Sequence, residues 1–348
     1  MLPFFHAFAW RRGWITAGFV AVLTQCHIGP AAADTLDDAR ARGSVICGVS
    51  EGLVGFSAPD TGGNWQGFDV EFCKALAAAI FGDVSKVQYR PLPASERYRT
   101  LKSGEIDVLA RGDTWTLSME VDDLLRFAGV SYFDAYSLMV RRDFGLSSAL
   151  ELSGAVICAY AATGRKFDLT GYFETRNIPV EVRFLDKKEE AVAAYESKEC
   201  EAFAGDSSML PTDRAGLARP TDHMVLPEVI AQEPLGPVVR QGDERWFNLV
   251  RWTLNTLIAA EQLGISRENS AALEAAGGST ARRLWGIEGG LGPKLGLDAK
   301  WAFNIIHLVG NYGEIFDRTL GEKSPQGLER GLNRLWNQGG LLFSPAFR

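Results

Sequence analysis

The chain of 348 residues carries 36 Lys and Arg against 43 Asp and Glu, a net charge of −7, with 46% hydrophobic and 23% charged residues. These proportions exclude a disordered chain, a disulfide-dense miniprotein and a collagen-like repeat, and the acidic balance argues against a protein built around a basic nucleic-acid face. At roughly 100–200 residues per domain, the length predicts two domains, each large enough for its own core.

Residues 1–33 contain no Asp or Glu; Arg11 and Arg12 precede an apolar run, Gly13 to Thr24, and Ala31-Ala32-Ala33 follows. A basic patch, a short apolar core and a small-residue cleavage site predict a secretory signal peptide over 1–33. The run is shorter than the roughly 20 apolar residues of a membrane anchor. Leu23-Thr24-Gln25-Cys26 is similar to a lipoprotein box, but Gln25 is not small, so cleavage is expected after Ala33. Losing two arginines and no acid takes the charge from −7 to −9 and leaves Cys47, Cys73, Cys158 and Cys200. An even number of cysteines in an exported chain predicts disulfides, with three pairings open. No CxxC or His pair beside them suggests zinc.

In chain order, Ser44 to Val49 reads as a buried strand, and Gly52 to Gly67 as a turn-rich stretch. Asp69 to Phe81 has apolar residues at helical spacing, stopped by Gly82-Asp83. Lys86 to Pro91 is a short strand, Ser95 to Ser103 a helix with Ser95 as its N-cap, and Ile106 to Ala110 a buried strand. The pattern restarts with a strand at 155–159, a helix at 164–175, a strand at 180–184, a helix at 189–197 and a strand at 202–204. Arg245 to Leu263 is a long amphipathic helix, and helices joined by Gly-rich turns follow from Ser266. Two strand–helix layers imply two α/β lobes, with a ligand cleft at the carboxyl ends of their strands.

The sequence has no GxSxG, HExxH or GxxxxGK[ST] motif, and its glycine pairs do not open a helix after a strand. His223 has no evident Ser or Cys partner. No catalytic residue, metal site or cofactor is therefore expected, and a binder is favoured over an enzyme.

Gly67-Phe68-Asp69-Val70-Glu71-Phe72, followed by Leu76-Ala77 and Ile80, resembles the signature of the family 3 bacterial extracellular solute-binding proteins of polar amino acid ABC transporters. Leu101 to Leu109 is similar to that family's helix-to-strand step, and Glu233 to Asp243 to its return crossover. Val309 to Phe316 and Gly327 to Gly340 resemble the larger general L-amino acid-binding subgroup. The resemblance covers Thr35 to Arg348. It implies a type II periplasmic binding protein: an α/β clamp with lobe one at 34–137 and 241–348, lobe two at 138–240, and a two-strand hinge near Leu138 to Val140 and Pro237 to Arg240. With those lobes, Cys47–Cys73 and Cys158–Cys200 are the preferred pairs, since each stays within one lobe.

The resemblance also implies a site. Asp206 meets the ligand ammonium, and Arg111 and Thr114 fall on lobe-one contact positions, with Arg111 suited to a bidentate carboxylate pair. Thr163 falls on a contact position at a helix start, where backbone N–H groups receive an anion. Three departures stand out: Met119 replaces an expected arginine, Ala94 replaces an aromatic residue, and Tyr160 to Arg165 replaces a small-residue helix start. Arg165 is the candidate for the missing charge, and Trp115, Phe56 or Tyr160 for the missing ring; a solvated arginine and core aromatics are the alternatives. The expected function is capture of an amino acid or related small polar solute by a periplasmic monomer that serves an inner-membrane ABC permease, with no nucleic-acid partner. The alternatives are a dehydratase-like enzyme on a cyclic acid and a sensory binding protein.

Overall fold

The computed structural model describes residues 1, 3, 34–160, 166–276, 278–286 and 288–347. The chain separates into residues 1–33 and 34–348, and the fold that follows is that of the second unit. The expected signal peptide, with Cys26, falls almost wholly outside the described residues, as do Thr163 and Arg165. Among the described residues no helix is long and apolar enough to cross a membrane.

Helix α1 (Thr35–Arg42) leads into strand β1 (Val45–Val49), and a small ladder joins β2 (Ala58–Pro59) to β3 (Trp65–Gln66). Then come α2 (Phe68–Phe81), β4 (Val87–Pro91), α3 (Arg97–Lys102), β5 (Val108–Thr114), α4 (Leu117–Val121) and β6 (Leu125–Phe127). The long strand β7 (Tyr132–Arg141) opens a second α/β segment: β8 (Val156–Tyr160), α5 (Lys166–Glu174), β9 (Glu181–Leu185), α6 (Lys188–Glu196), β10 (Ala202–Asp206), α7 (Leu210–Ala215) and β11 (His223–Val225). A second long strand, β12 (Ala231–Arg240), returns to α8 (Glu244–Gln262). The remainder is helical: α9 (Ser270–Ala276), α10 (Ser279–Leu284), α11 (Leu291–Lys294), α12 (Trp301–Leu308) and α13 (Tyr312–Thr319).

One sheet runs through both segments in the order β4-β1-β5-β12-β7-β10-β8-β9. β1 lies parallel to β4 and β5, and β8 parallel to β9 and β10. The two long strands join these parallel halves by antiparallel pairing, β12 on β5 and β7 on β10. They pair with each other from Ala231–Tyr136 to Leu235–Tyr132. A parallel sheet must be covered on its faces, so each half has its own helices and its own core. Leu76, Val108, Trp246, Leu249, Ile305 and Phe316 belong to the first, and Leu138, Ile157, Leu169, Phe173 and Ala204 to the second. This is the two-lobed, type II α/β architecture.

Local chemistry accounts for the element ends. Asp243 caps α8 by accepting from Trp246 N at 2.9 Å, and the helix then buries Leu249, Val250, Leu254 and Leu257, each contributing roughly 1.5–3 kcal/mol. Asn311 and Glu314 form a reciprocal capping box at the start of α13, which explains the Asn-Tyr-Gly-Glu run. Ser95 does not cap α3: Glu96 stands at that position in helical conformation without a side-chain bond, after a turn in which its N–H donates to Pro93 O at 3.1 Å.

The cysteines pair as Cys47–Cys73 and Cys158–Cys200, with Cα atoms 6.3 and 5.7 Å apart. The first bridge ties β1 to α2; the second joins β8 to the turn before β10.

Candidate functional site

The carboxyl ends of strands from both halves converge on a cleft of about 460 Å³. Arg111 to Thr114 close β5 on one wall; Tyr160 and Asp206, the last residues of β8 and β10, stand on the other. Gly112, at φ +67, turns β5 through the left-handed region between two charged neighbours, a conformation that suits glycine.

The lobe-one wall is an ionic network. Arg97, buried on α3, sets its Nε 2.6 Å from Asp113 Oδ1. It also donates to Ala94 O and, at 3.0 Å, to Tyr98 Oη. Arg111 approaches the same Asp113 oxygen only to 3.8 Å, and its buried Nε has no hydrogen-bond partner among the described residues. Asp69, from the first turn of α2, is buried behind them. Burial, and then the Asp113 charge, push its carboxyl up to about 7. Burial first and Asp113 second raise Tyr98 to about 12. Two guanidinium groups share the one Asp113 carboxylate here, so the wall favours an incoming anion.

Behind the cleft, two acids meet on the long strands. Asp134 on β7 and Glu233 on β12 are directly opposed in the register, and both are buried. Asp134 accepts from Ala135 N at 2.8 Å and Ser208 N at 3.1 Å, and Thr114 Oγ1 donates to Glu233. Burial first and the Asp206 charge second raise the Asp134 pKa well above the usual carboxylate range. Asp206, at the end of β10 in the cleft lining, thus lies near Asp134 of β7, which faces Glu233 of β12. Among the described residues no group of three or more His, Cys, Asp or Glu side chains is arranged to hold a metal ion.

The cleft brings together Arg111, Thr114 and Asp206, with Tyr160 beside them. It does not include Phe56 or Trp115. Phe56 is a core residue, with its ring edge-on to Tyr132 at 5.2 Å and Phe68 at 6.3 Å. Trp115 follows Thr114, so strand alternation sends it to the opposite face; there it stacks on Phe127 at 5.6 Å. Met119 packs into a small cluster with Leu125 and Phe127 beside the cleft. Sequence reasoning passed over Arg97, Asp69, Asp134 and Glu233. An acid inside each long, largely apolar strand was the available signal for the last two.

The model of the family "Bacterial extracellular solute-binding proteins, family 3" matches residues 45–268. The general L-amino acid-binding periplasmic protein AapJ of Rhizobium johnstonii is 45% identical over 96% of this chain and 98% of its own. The glutamate/glutamine/aspartate/asparagine-binding protein BztA of Rhodobacter capsulatus is 45% identical over 92% of this chain and 95% of its own. Among solved structures, a periplasmic binding protein of an ABC transporter from Brucella ovis, with glutathione bound, superposes with a TM-score of 0.85 at 45% identity. It covers 91% of this chain and 100% of that one.

Proposed function

We propose, from the premise that this chain belongs to family 3 of the bacterial extracellular solute-binding proteins, that it is the amino acid-binding periplasmic component of an ABC importer. Its ligand is an amino acid or a small solute that keeps an amino acid's ammonium and carboxylate. BztA is named for acidic amino acids and their amides, and the Brucella protein holds a peptide whose γ-glutamyl end carries both groups. A cleft of about 460 Å³ is within the usual range for small-molecule sites, so it has room for ligands of either size.

The observation that carries this reading is the opposition of charge across one cleft, Arg111 on lobe one and Asp206 on lobe two. Arg111 receives the carboxylate, since Arg97 already neutralises Asp113. Asp206, backed by Asp134 and Glu233, receives the ammonium, and Thr114 links the wall to Glu233. Because each lobe holds one charge of the zwitterion, closure completes the site and open lobes release it. We set the lobe crossovers between Ala231–Tyr136 and Leu235–Tyr132, where the long strands exchange neighbours. Export by the first 33 residues, a monomeric state and delivery to a membrane permease complete the proposal.

Calorimetry on residues 34–348 with L-glutamate, L-glutamine, L-aspartate, L-asparagine and glutathione tests it. At least one should bind with micromolar affinity or better, and Arg111→Ala and Asp206→Asn should each weaken it about 30-fold or more, the cost of leaving one partner of a buried charge pair alone. Failure of all five to bind, or indifference of the affinity to both variants, would reject the reading.

A further inference from the structure

A second cavity, of about 480 Å³, lies on lobe one, on the side of β5 to which Trp115 points. One wall is a strip of α8, where Phe247, Arg251, Asn255 and Ile258 follow at helical spacing. The facing wall is the chain's last extended segment, Leu341 to Pro345. That segment lies beyond the residues 45–268 matched by the family model, so the cavity belongs to the long form of the fold.

The polar groups of this cavity are not all paired among the described residues. Arg126 is engaged by Glu244 and lies 3.7 Å over the Phe247 ring, and Glu120 accepts from Trp115 Nε1 at 3.0 Å. Arg251 forms no ion pair with a described residue; its guanidinium stands 5.8 Å from the Phe247 ring centre. One turn on, Asn255 is 8% exposed, and its amide makes no hydrogen bond to a described residue. Its amide opens on the cavity and is available to a hydrogen-bonding ligand there. It shares the helix face of Arg251.

The rest of the lining is apolar, and part of it is left in water. Phe343 is 62% exposed and Trp115 43%. The neighbours of Phe343 are firmly held: Leu342 N donates to Arg334 O at 3.1 Å, Ser344 N donates to Gln262 Oε1 at 2.8 Å, and Phe347 packs on Trp252 at 5.0 Å. The outward ring is therefore presented by a fixed backbone. One cation without an ion pair to a described residue, one amide open to the cavity and an aromatic rim define the complement of this surface.

We propose that this cavity is a second ligand site for a small amphipathic monoanion, whose carboxylate or sulfonate lies between Arg251 and Asn255 while its aromatic or short alkyl body packs on Phe127, Phe133 and Phe343. Its floor leads into the crossing strand β7. Asn333 holds Phe133 by both backbone groups, at 2.7 and 3.0 Å, so a ligand here rests against the root of the hinge.

The test uses residues 34–348 with 8-anilinonaphthalene-1-sulfonate as a fluorescent probe and 4-phenylbutyrate as competitor. The expected result is saturable binding at one site, displaced by 4-phenylbutyrate. It should weaken at least tenfold in Arg251→Glu and several-fold in Phe343→Ser, while amino acid capture at the cleft is unchanged in both. Both side chains are exposed, and near-ultraviolet circular dichroism checks that each variant keeps its packing. Undiminished probe binding in Arg251→Glu overturns the proposal. Equally tight binding of the uncharged N-phenyl-1-naphthylamine also overturns it, since that would mark an apolar docking surface with no anion site.

Discussion

Arg97 and Arg111 share one carboxylate but have different work. Arg97 donates to Ala94 and Tyr98 and is ion-paired through Nε with Asp113, without a hydrogen bond there, so Arg97 is a positioning residue. On the proposed function, Arg111 keeps its donors for what enters the cleft. Arg97→Met should destabilise the protein by about 3–5 kcal/mol in urea denaturation, because Asp113 is left buried without its counter-charge. It should also weaken ligand binding, since Asp113 would then claim Arg111. Replacing both partners, Arg97→Met with Asp113→Val, should restore most of the stability; equal losses in the single and double variants would contradict the assignment. The raised acids give a pH dependence with a definite sign. Folded Asp69 holds its proton up to about pH 7, whereas an unfolded aspartate gives it up near 4. The native state therefore binds more protons between those values. The contribution is whole below about pH 4 and is lost as the pH rises toward 7, by at most ~4 kcal/mol. Asp69→Asn should flatten the fall in melting temperature across that window, and an unchanged slope would show that Asp69 is ionised throughout.

The elements show which structural signals are local. Helix α2 and strand β1 are legible because each has a single apolar period ended by glycine. α3 is legible as a helix but not in its cap, since a turn at Pro93 decides that end. Short elements such as α4 and β6 escape, because a few residues hold less than one period. Arg111 and Thr114 could be placed at the cleft because the loop that carries them resembles the family's lobe-one loop. Phe56 and Trp115 could not be placed, because an aromatic side chain does not name the face it packs on. Asp134 and Glu233 meet only through the register of two strands about a hundred residues apart, which no local pattern encodes. The disulfides belong to this scale as well. Cys158–Cys200 closes a 42-residue separation, and removing such a bridge costs about 2–5 kcal/mol. Cys158→Ser with Cys200→Ser should lower the melting temperature of lobe two while leaving Cys47–Cys73 intact in a non-reducing peptide map; an unchanged melting curve would show that packing alone holds β8 and β10.

At the scale of the molecule, the two-lobed plan was legible from the repeated strand–helix order, but the wiring between the lobes was not. A single sheet passes through both, and its two longest strands carry the opposed acids Asp134 and Glu233. A change at either acid alters the charge at the crossover itself. Gly236 marks how tightly that crossover is built, since a Cβ there would come within 2.0 Å of Gly129 O.

With lobe two set at 138–240, as we propose, its insertion within lobe one also sets an order of assembly. Lobe two is then a continuous stretch, and most of its pairings become available as soon as that stretch has been synthesised. Lobe one is closed by contacts between distant parts of the chain. Arg245 pairs with Asp34 at 2.6 Å, Thr35 N donates to Asp243 Oδ2 at 2.8 Å, and Phe347 seals α8 at Trp252. β1, β4 and β5 can pair early among themselves, but these closing contacts wait for the segments that follow β12. Loop closure on that scale is slow, and unpaired strand edges invite aggregation while it lasts. On these bounds, the inserted lobe can complete its own pairing before the lobe that encloses it can close.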